Sequence, residues 1–259
     1  MKKTSIFLFT LFMSLLANAQ EFNKFPWDFP QDAKTSLKEG QWYLACKSGY
    51  ERNAGKVDLT KEILIYYAYQ FKEMKDGLVD GAVPTSMCIP LPEKQKAKKG
   101  DILLTWWQKG SGMSHAVVID DSNPLTPKVN YLKNVGGDEE LKPNSFIVLK
   151  SGKMVPGAPI AYKGDNGKWH TGTAINIADG KVLIYGFGSK LKTAKLSDCK
   201  VLPLKPDYKV GDSVMSTFVD TFEDGYTVKE INLEKGKVIV TDKDGRDRDK
   251  LLFEVVKSL

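Results

Sequence analysis

Lys209-Val-Gly-Asp-Ser-Val-Met-Ser216 opens the last stretch of the chain with a turn and an alternating run, and the opening has three earlier counterparts. They are Lys38-Glu-Gly-Gln-Trp-Tyr-Leu-Ala45, Lys98-Lys-Gly-Asp-Ile-Leu-Leu-Thr105 and Val155-Pro-Gly-Ala-Pro-Ile-Ala-Tyr162. The four glycines, Gly40, Gly100, Gly157 and Gly211, lie 60, 57 and 54 residues apart. Self-similarity at such a period marks an array of small modules. It also changes how single features weigh, because a residue found in one module competes with three sites that lack it.

The last module reads most plainly. Ser213–Phe218 alternates small or polar with apolar residues, as a half-buried strand does. Asp220–Gly225 is a turn cluster ending in Asp-Gly, a strong hairpin signal. Tyr226–Leu233 predicts a second strand, Glu234–Gly236 a turn, and Lys237–Thr241 a third strand. Asp242–Gly245 predicts another turn and Leu251–Val256 the closing strand. The third module repeats the plan in Trp169–Ile177, Lys181–Tyr185 and Cys199–Pro203, and the second in Ser114–Asp120, Lys128–Leu132 and Ser145–Leu149. The first is the least regular, with Ile63–Tyr67 and Met87–Leu91 as its strands; the β-branched and aromatic content of Ile63–Met74 favours strand over helix.

Short strands, tight Gly/Asp turns and little helical periodicity predict an all-β chain. Modules of this size close into small barrels, which removes exposed edges. The entry Lys-x-Gly-Asp, then a strand, a turn and three further strands, the last ending near Leu-Pro, resembles Tudor and agenet domains over roughly residues 38–259. The resemblance implies a tandem array of four SH3-like barrels: residues 38–97 (irregular), 98–154, 155–208 and 209–259. Each is near the lower size limit for independent folding, so the barrels are expected to pack against one another. The joins Pro92–Lys99 and Pro203–Tyr208 are short, unlike a Gly/Ser linker.

Ahead of the array, Lys2 and Lys3, the apolar run Ile6–Leu16 and Ala17-Asn-Ala19 read as a secretory signal peptide over residues 1–19, cleaved near Ala19-Gln20. Residues 20–37 form a lead segment. The reading places the mature protein in the periplasm or outside the cell, with no transmembrane segment left after cleavage. The whole chain carries +6, and losing Lys2 and Lys3 leaves +4. That mild balance points away from nucleic acid.

Enzymatic constellations are sparse. His115 and His170 are the two histidines, both inside second strands of their modules. Gly110-Ser-Gly-Met-Ser114 precedes His115 but lacks the strand–turn–helix setting of a nucleophile elbow. No Cys-x-x-Cys or His-x-x-x-His spacing supports a metal, and no phosphate-cradling glycine motif supports a nucleotide, so neither metal nor cofactor is expected.

In an exported protein cysteines tend to oxidise. In a barrel of the resembled class the first and last strands are antiparallel, which brings the end of one near the start of the other. This favours a Cys46–Cys88 disulfide, with Cys199 left as an orphan because Lys163 stands where its partner would be. Three reduced thiols and a Cys88–Cys199 bridge are the competing arrangements.

The resemblance also implies aromatic binding chemistry, since Tudor-type domains hold methylated ammonium groups against aromatic faces. The matching rings that form the expected platform are Trp106, Trp107 and Tyr131 in the second module and Tyr162, Trp169 and Tyr185 in the third, where Phe187 is a further match. Core packing competes for each of them. Adjacent strand residues face opposite sides, so at least one of Trp106 and Trp107 should leave its own core. The leading expectation is an exported, non-catalytic protein binding a peptide, a glycan or an envelope protein. The alternatives are a structural spacer of an envelope assembly, or a hydrolase with a site near His115 or His170.

Overall fold

The computed structural model describes residues 28–30, 33, 35–53, 62–110, 112–132 and 137–259. The expected leader with its cleavage point, and Ser111 of the loop before His115, lie outside them. The four glycine openings fold alike. Gly40, Gly100, Gly157 and Gly211 have φ of 77°, 86°, 90° and 91°. Their amides donate to the carbonyls of Phe71, Val118, Ala174 and Val228 at 2.7–2.8 Å. The residue after each glycine returns the bond, its carbonyl accepting from the amide of that same partner. A positive φ lets the chain turn tightly there and lock onto a strand that follows much later in sequence.

Each opening feeds a group of short strands. The first group holds β1 (Trp42–Ala45), β2 (Tyr67–Gln70), β3 (Met74–Lys75), β4 (Leu78–Val79) and β5 (Ile89–Pro90). The second holds β6 (Ile102–Trp106), β7 (Met113–Asp120), β8 (Lys128–Tyr131), β9 (Glu139–Glu140) and β10 (Ile147–Val148). The third holds β11 (Pro159–Lys163), β12 (Trp169–Ala178), β13 (Lys181–Gly186), β14 (Lys190–Lys195) and β15 (Cys199–Val201). The fourth holds β16 (Ser213–Phe218), β17 (Thr221–Asn232), β18 (Lys237–Thr241), β19 (Asp247–Leu251) and β20 (Val255–Val256). All pairings are antiparallel.

The last three groups share one connectivity: four strands meander, and the fifth returns to pair with the first. The first group keeps β2-β1-β5, while β3 and β4 pair only with each other. The second strand of each of the last three groups carries a bulge at the same place, just after Val118, Ala174 and Val228. A bulge bends and further twists its strand, so one strand can serve both halves of a curled sheet. The protein is therefore mostly β, in small antiparallel sheets, with one seven-residue helix, α1 (Lys47–Asn53), among the described residues. No helix there is long and apolar enough to cross a membrane.

Three apolar clusters lie within the second, third and fourth groups, around Tyr131, Ile160 and Val240 respectively. A larger cluster draws on all four, joining Tyr43 and Leu44 to Leu104 and Trp106, Ile175 and Leu183, and Phe222 and Phe253. The third and fourth groups also share a sheet, through the His170↔Thr221 pair of β12 and β17.

Local expectations change in several places. Residues 63–66 lie outside any strand, and β2 begins only at Tyr67. Residues 251–256 are not one strand, because a 3₁₀ turn at Leu252–Glu254 separates β19 from β20. Asp224-Gly225 is not a turn; Gly225, at φ 93°, sits in a bulge inside β17, where Asp224 and Gly225 face the single residue Met215. The reversal comes earlier, at Val219-Asp220. The Cys46–Cys88 disulfide is also absent, and all three cysteines are free thiols. Leu44 pairs with Ile89, so continuing that register sets Ala45, not Cys46, across from Cys88. Cys46 lies beyond the end of β1, just before α1, and both thiols are buried in the shared core, where the Cys88 thiol donates to Pro84 O.

Candidate functional site

The last three strand groups meet at a cleft of about 290 Å³. One wall is β12 at Thr171, Gly172 and Thr173, and the facing wall is the end of β13 with the loop Gly186–Ser189. The fourth group contributes Val219, Asp220, Leu251, Phe253 and Glu254, and the second contributes Met113 and His115. The cleft exists because a ladder opens. β12 and β13 pair up to Thr173↔Tyr185; past that point β12 turns to the β16–β17 hairpin, with the Thr171 amide donating to Asp220 O at 2.8 Å. The chain after Gly186 diverges into a short 3₁₀ turn, Phe187–Ser189.

The rim is apolar and strained. Phe187 and Val219 are each 60 % exposed. Val219 adopts φ 60° and Ser189 φ 59°. A β-branched residue in the left-handed region is uncommon, and such outliers concentrate where a surface is kept for binding. Two glycines shape the walls. A β-carbon on Gly172 would sit 2.6 Å from Ile184 Cγ2, and one on Gly186 would sit 3.2 Å from the Tyr162 hydroxyl. That hydroxyl is sealed from solvent and has no hydrogen-bond partner among the described residues. Burial pushes its pKa up to about 12, helped by the charge of Asp220.

Both histidines border this region without forming a catalytic pair. His115 is buried, its Nε2 2.9 Å from Gly157 O of the third group and its ring 5.1 Å, edge-on, from Phe253 of the fourth. It therefore keys three groups together. His170 directs Nδ1 to Asp220 at 3.1 Å, and the Thr221 hydroxyl lies 3.3 Å from the same nitrogen. Its Nε2 faces Asn166 Oδ1 at 3.2 Å. In a triad the acid and the nucleophile take opposite ring nitrogens. Here acid and hydroxyl crowd onto one. The cross-strand order on the other side is His170, Tyr162, Cys199, so the Tyr162 ring stands between imidazole and thiol. Burial and Asp198 raise the Cys199 thiol to about 11, which keeps it protonated at neutral pH.

The six rings expected to carry binding are dispersed. Trp106 is buried, 5.0 Å from Trp42 in the interface between the first two groups. Trp107 folds over its own hairpin beside the second group's core. Tyr131 is buried, its hydroxyl 2.8 Å from Glu139 and 2.9 Å from Trp106 O. Tyr162 stacks on His170 inside the third group. Trp106, Tyr131 and Tyr162 thus cannot form a surface platform, because alternation turns each ring into a packed interior. Trp169 and Tyr185 are half-buried, and Tyr185 reaches the cleft. Phe187, a ring to which the sequence already pointed, lines the cleft; sequence reading missed Val219 and Phe253, whose only local signal was apolar character. Among the described residues no cluster of three His, Cys, Asp or Glu side chains is placed to hold a metal ion.

No family model matches the chain, and no curated protein matches it. Among solved structures it is similar to the crystal structure of Arabidopsis thaliana AGDP1 AGD34. That likeness has a TM-score of 0.24 at 13% identity and covers 38% of this chain and 78% of the other.

Proposed function

We propose that the chain is an exported, non-catalytic binding protein. In this reading the four strand groups are four Tudor-like barrels, at residues 38–97, 98–154, 155–208 and 209–259, behind a cleaved leader. They hold a partner in the periplasm or outside the cell. The partner presents an extended polypeptide segment to the three-group cleft. The observation that carries the reading is the opened ladder: strand ends, glycine walls and the exposed Phe187 and Val219 side chains converge on one concave surface. Strand ends suit main-chain pairing, and the apolar rim suits a side-chain anchor. A spacer would have no use for an exposed, strained apolar rim.

The test is selection from a displayed library of random peptides against the chain from Gln20 onward, followed by affinity measurement on Phe187→Glu. Selected peptides should bind the parent at least tenfold more tightly than the variant, with the thermal midpoint unchanged. Peptides that ignore the substitution would place binding elsewhere.

A further inference from the structure

The net charge of the chain is concentrated on the third strand group. Residues 155–208 hold eight lysines against Asp165, Asp179, Asp198 and Asp207, whereas residues 209–259 hold nine basic residues against eleven acidic ones. Lys163 pairs across the sheet with Trp169, and Ala161 with Lys200. Ala161 and Lys163 share a face of β11, so Lys163, Lys200 and Trp169 project from one side. Both ammonium groups lie over the Trp169 ring, at 5.3 and 5.0 Å from its centroid. Both lysines are exposed and the indole is half-buried. Among the described residues neither ammonium has a carboxylate within 4 Å, and neighbouring Asp165 and Asp198 leave them unpaired.

We propose that this face docks an acidic polysaccharide, its carboxylates on Lys163 and Lys200 and one sugar ring against the Trp169 indole. The indole is anchored against the shared core, so its position is set before a ligand arrives. The ammonium groups cover the ring that the sugar needs, so docking swings both onto the ligand's carboxylates and exchanges two cation–π contacts for two ion pairs and a stacked sugar. A pyranose ring offers a flat C–H surface to an indole and carboxylates at its edge, which suits this trio. An acidic peptide has less to gain, because β11 is already paired on both sides, to β12 and β15, and offers no strand edge. Single-stranded nucleic acid binds along a series of rings, and this face presents one. The surface is separate in charge from the cleft, whose lining contains Asp220 and Glu254 and no lysine or arginine.

The experiment is calorimetric titration of the chain from Gln20 onward with oligogalacturonate, with neutral dextran, poly-glutamate and an oligothymidylate as comparisons. Oligogalacturonate should bind, lose roughly tenfold in affinity between low and high salt, and lose at least tenfold in the Lys163→Gln/Lys200→Gln double variant. Trp169→Phe, which keeps a packed ring but shrinks its face, should weaken it several-fold. Dextran should not bind. No binding of oligogalacturonate, full binding by the double variant, or equal binding of poly-glutamate or the oligothymidylate would overturn the proposal.

Discussion

Val219 holds a left-handed backbone at the tip of a two-residue hairpin while most of its side chain faces solvent. Nothing in the core rewards valine there, so glycine should relieve the strain. Val219→Gly is expected to raise stability by about 1 kcal/mol in a denaturant titration, while the loss of the rim side chain weakens peptide binding. A fall of similar size would show that the rim is not strained. Asp80 gives a second residue-level expectation. Burial works to raise its carboxyl, but the Tyr43 hydroxyl at 2.7 Å, the Lys72 and Glu73 amides and the Lys47 charge together hold it below its ordinary 3.8. A depressed folded value contributes stability above the unfolded pKa, and that contribution is lost as pH falls through the folded one. Acid destabilisation below about pH 4 should therefore be shallower in Asp80→Asn, and an unchanged acid slope would count against the bond network. The cysteines complete this scale. Burial raises Cys46 to about 12 and lifts Cys88 well above its ordinary value. Thiol reagents at neutral pH should leave both unmodified until denaturant is added, and fast native labelling of either would contradict the packing.

The element that best tests the repeat is the glycine opening. Gly40, Gly100 and Gly211 have open space where a β-carbon would go, so alanine there meets only an unfavourable φ, costing about 1 kcal/mol. At Gly157 the same β-carbon would also sit 2.6 Å from Leu104 Cδ2 of the second group. Gly157→Ala should cost about 1–3 kcal/mol more than the others. Equal losses at all four would mean that the second and third groups do not approach there. These openings were legible in the sequence because their signals are local: a glycine, a polar or small residue after it, then a strand-like run. Other elements were not. β14 reads Lys-Leu-Lys-Thr-Ala-Lys, and lysines on an edge strand disguise it as loop. β19, Asp-Arg-Asp-Lys-Leu, is hidden the same way. Asp224-Gly225 carries a turn signal because a glycine bulge and a hairpin turn demand the same backbone freedom.

At the scale of the whole molecule, the site was out of reach of any local reading. His115, Tyr185, Asp220 and Phe253 come from three strand groups, and only the shared core and the β12–β17 junction bring them to one cleft. The aromatic count that drew attention to Trp106 and Tyr131 reflects that same packing, which consumes most large rings in interfaces. The surface left over is the opened ladder with its exposed Phe187. The most direct measurement is hydrogen–deuterium exchange of the chain from Gln20 onward, with and without a library-selected peptide. A three-group cleft predicts simultaneous protection at residues 113–115, 171–173, 185–189, 219–220 and 251–254. Protection confined to the loops of a single strand group would contradict it.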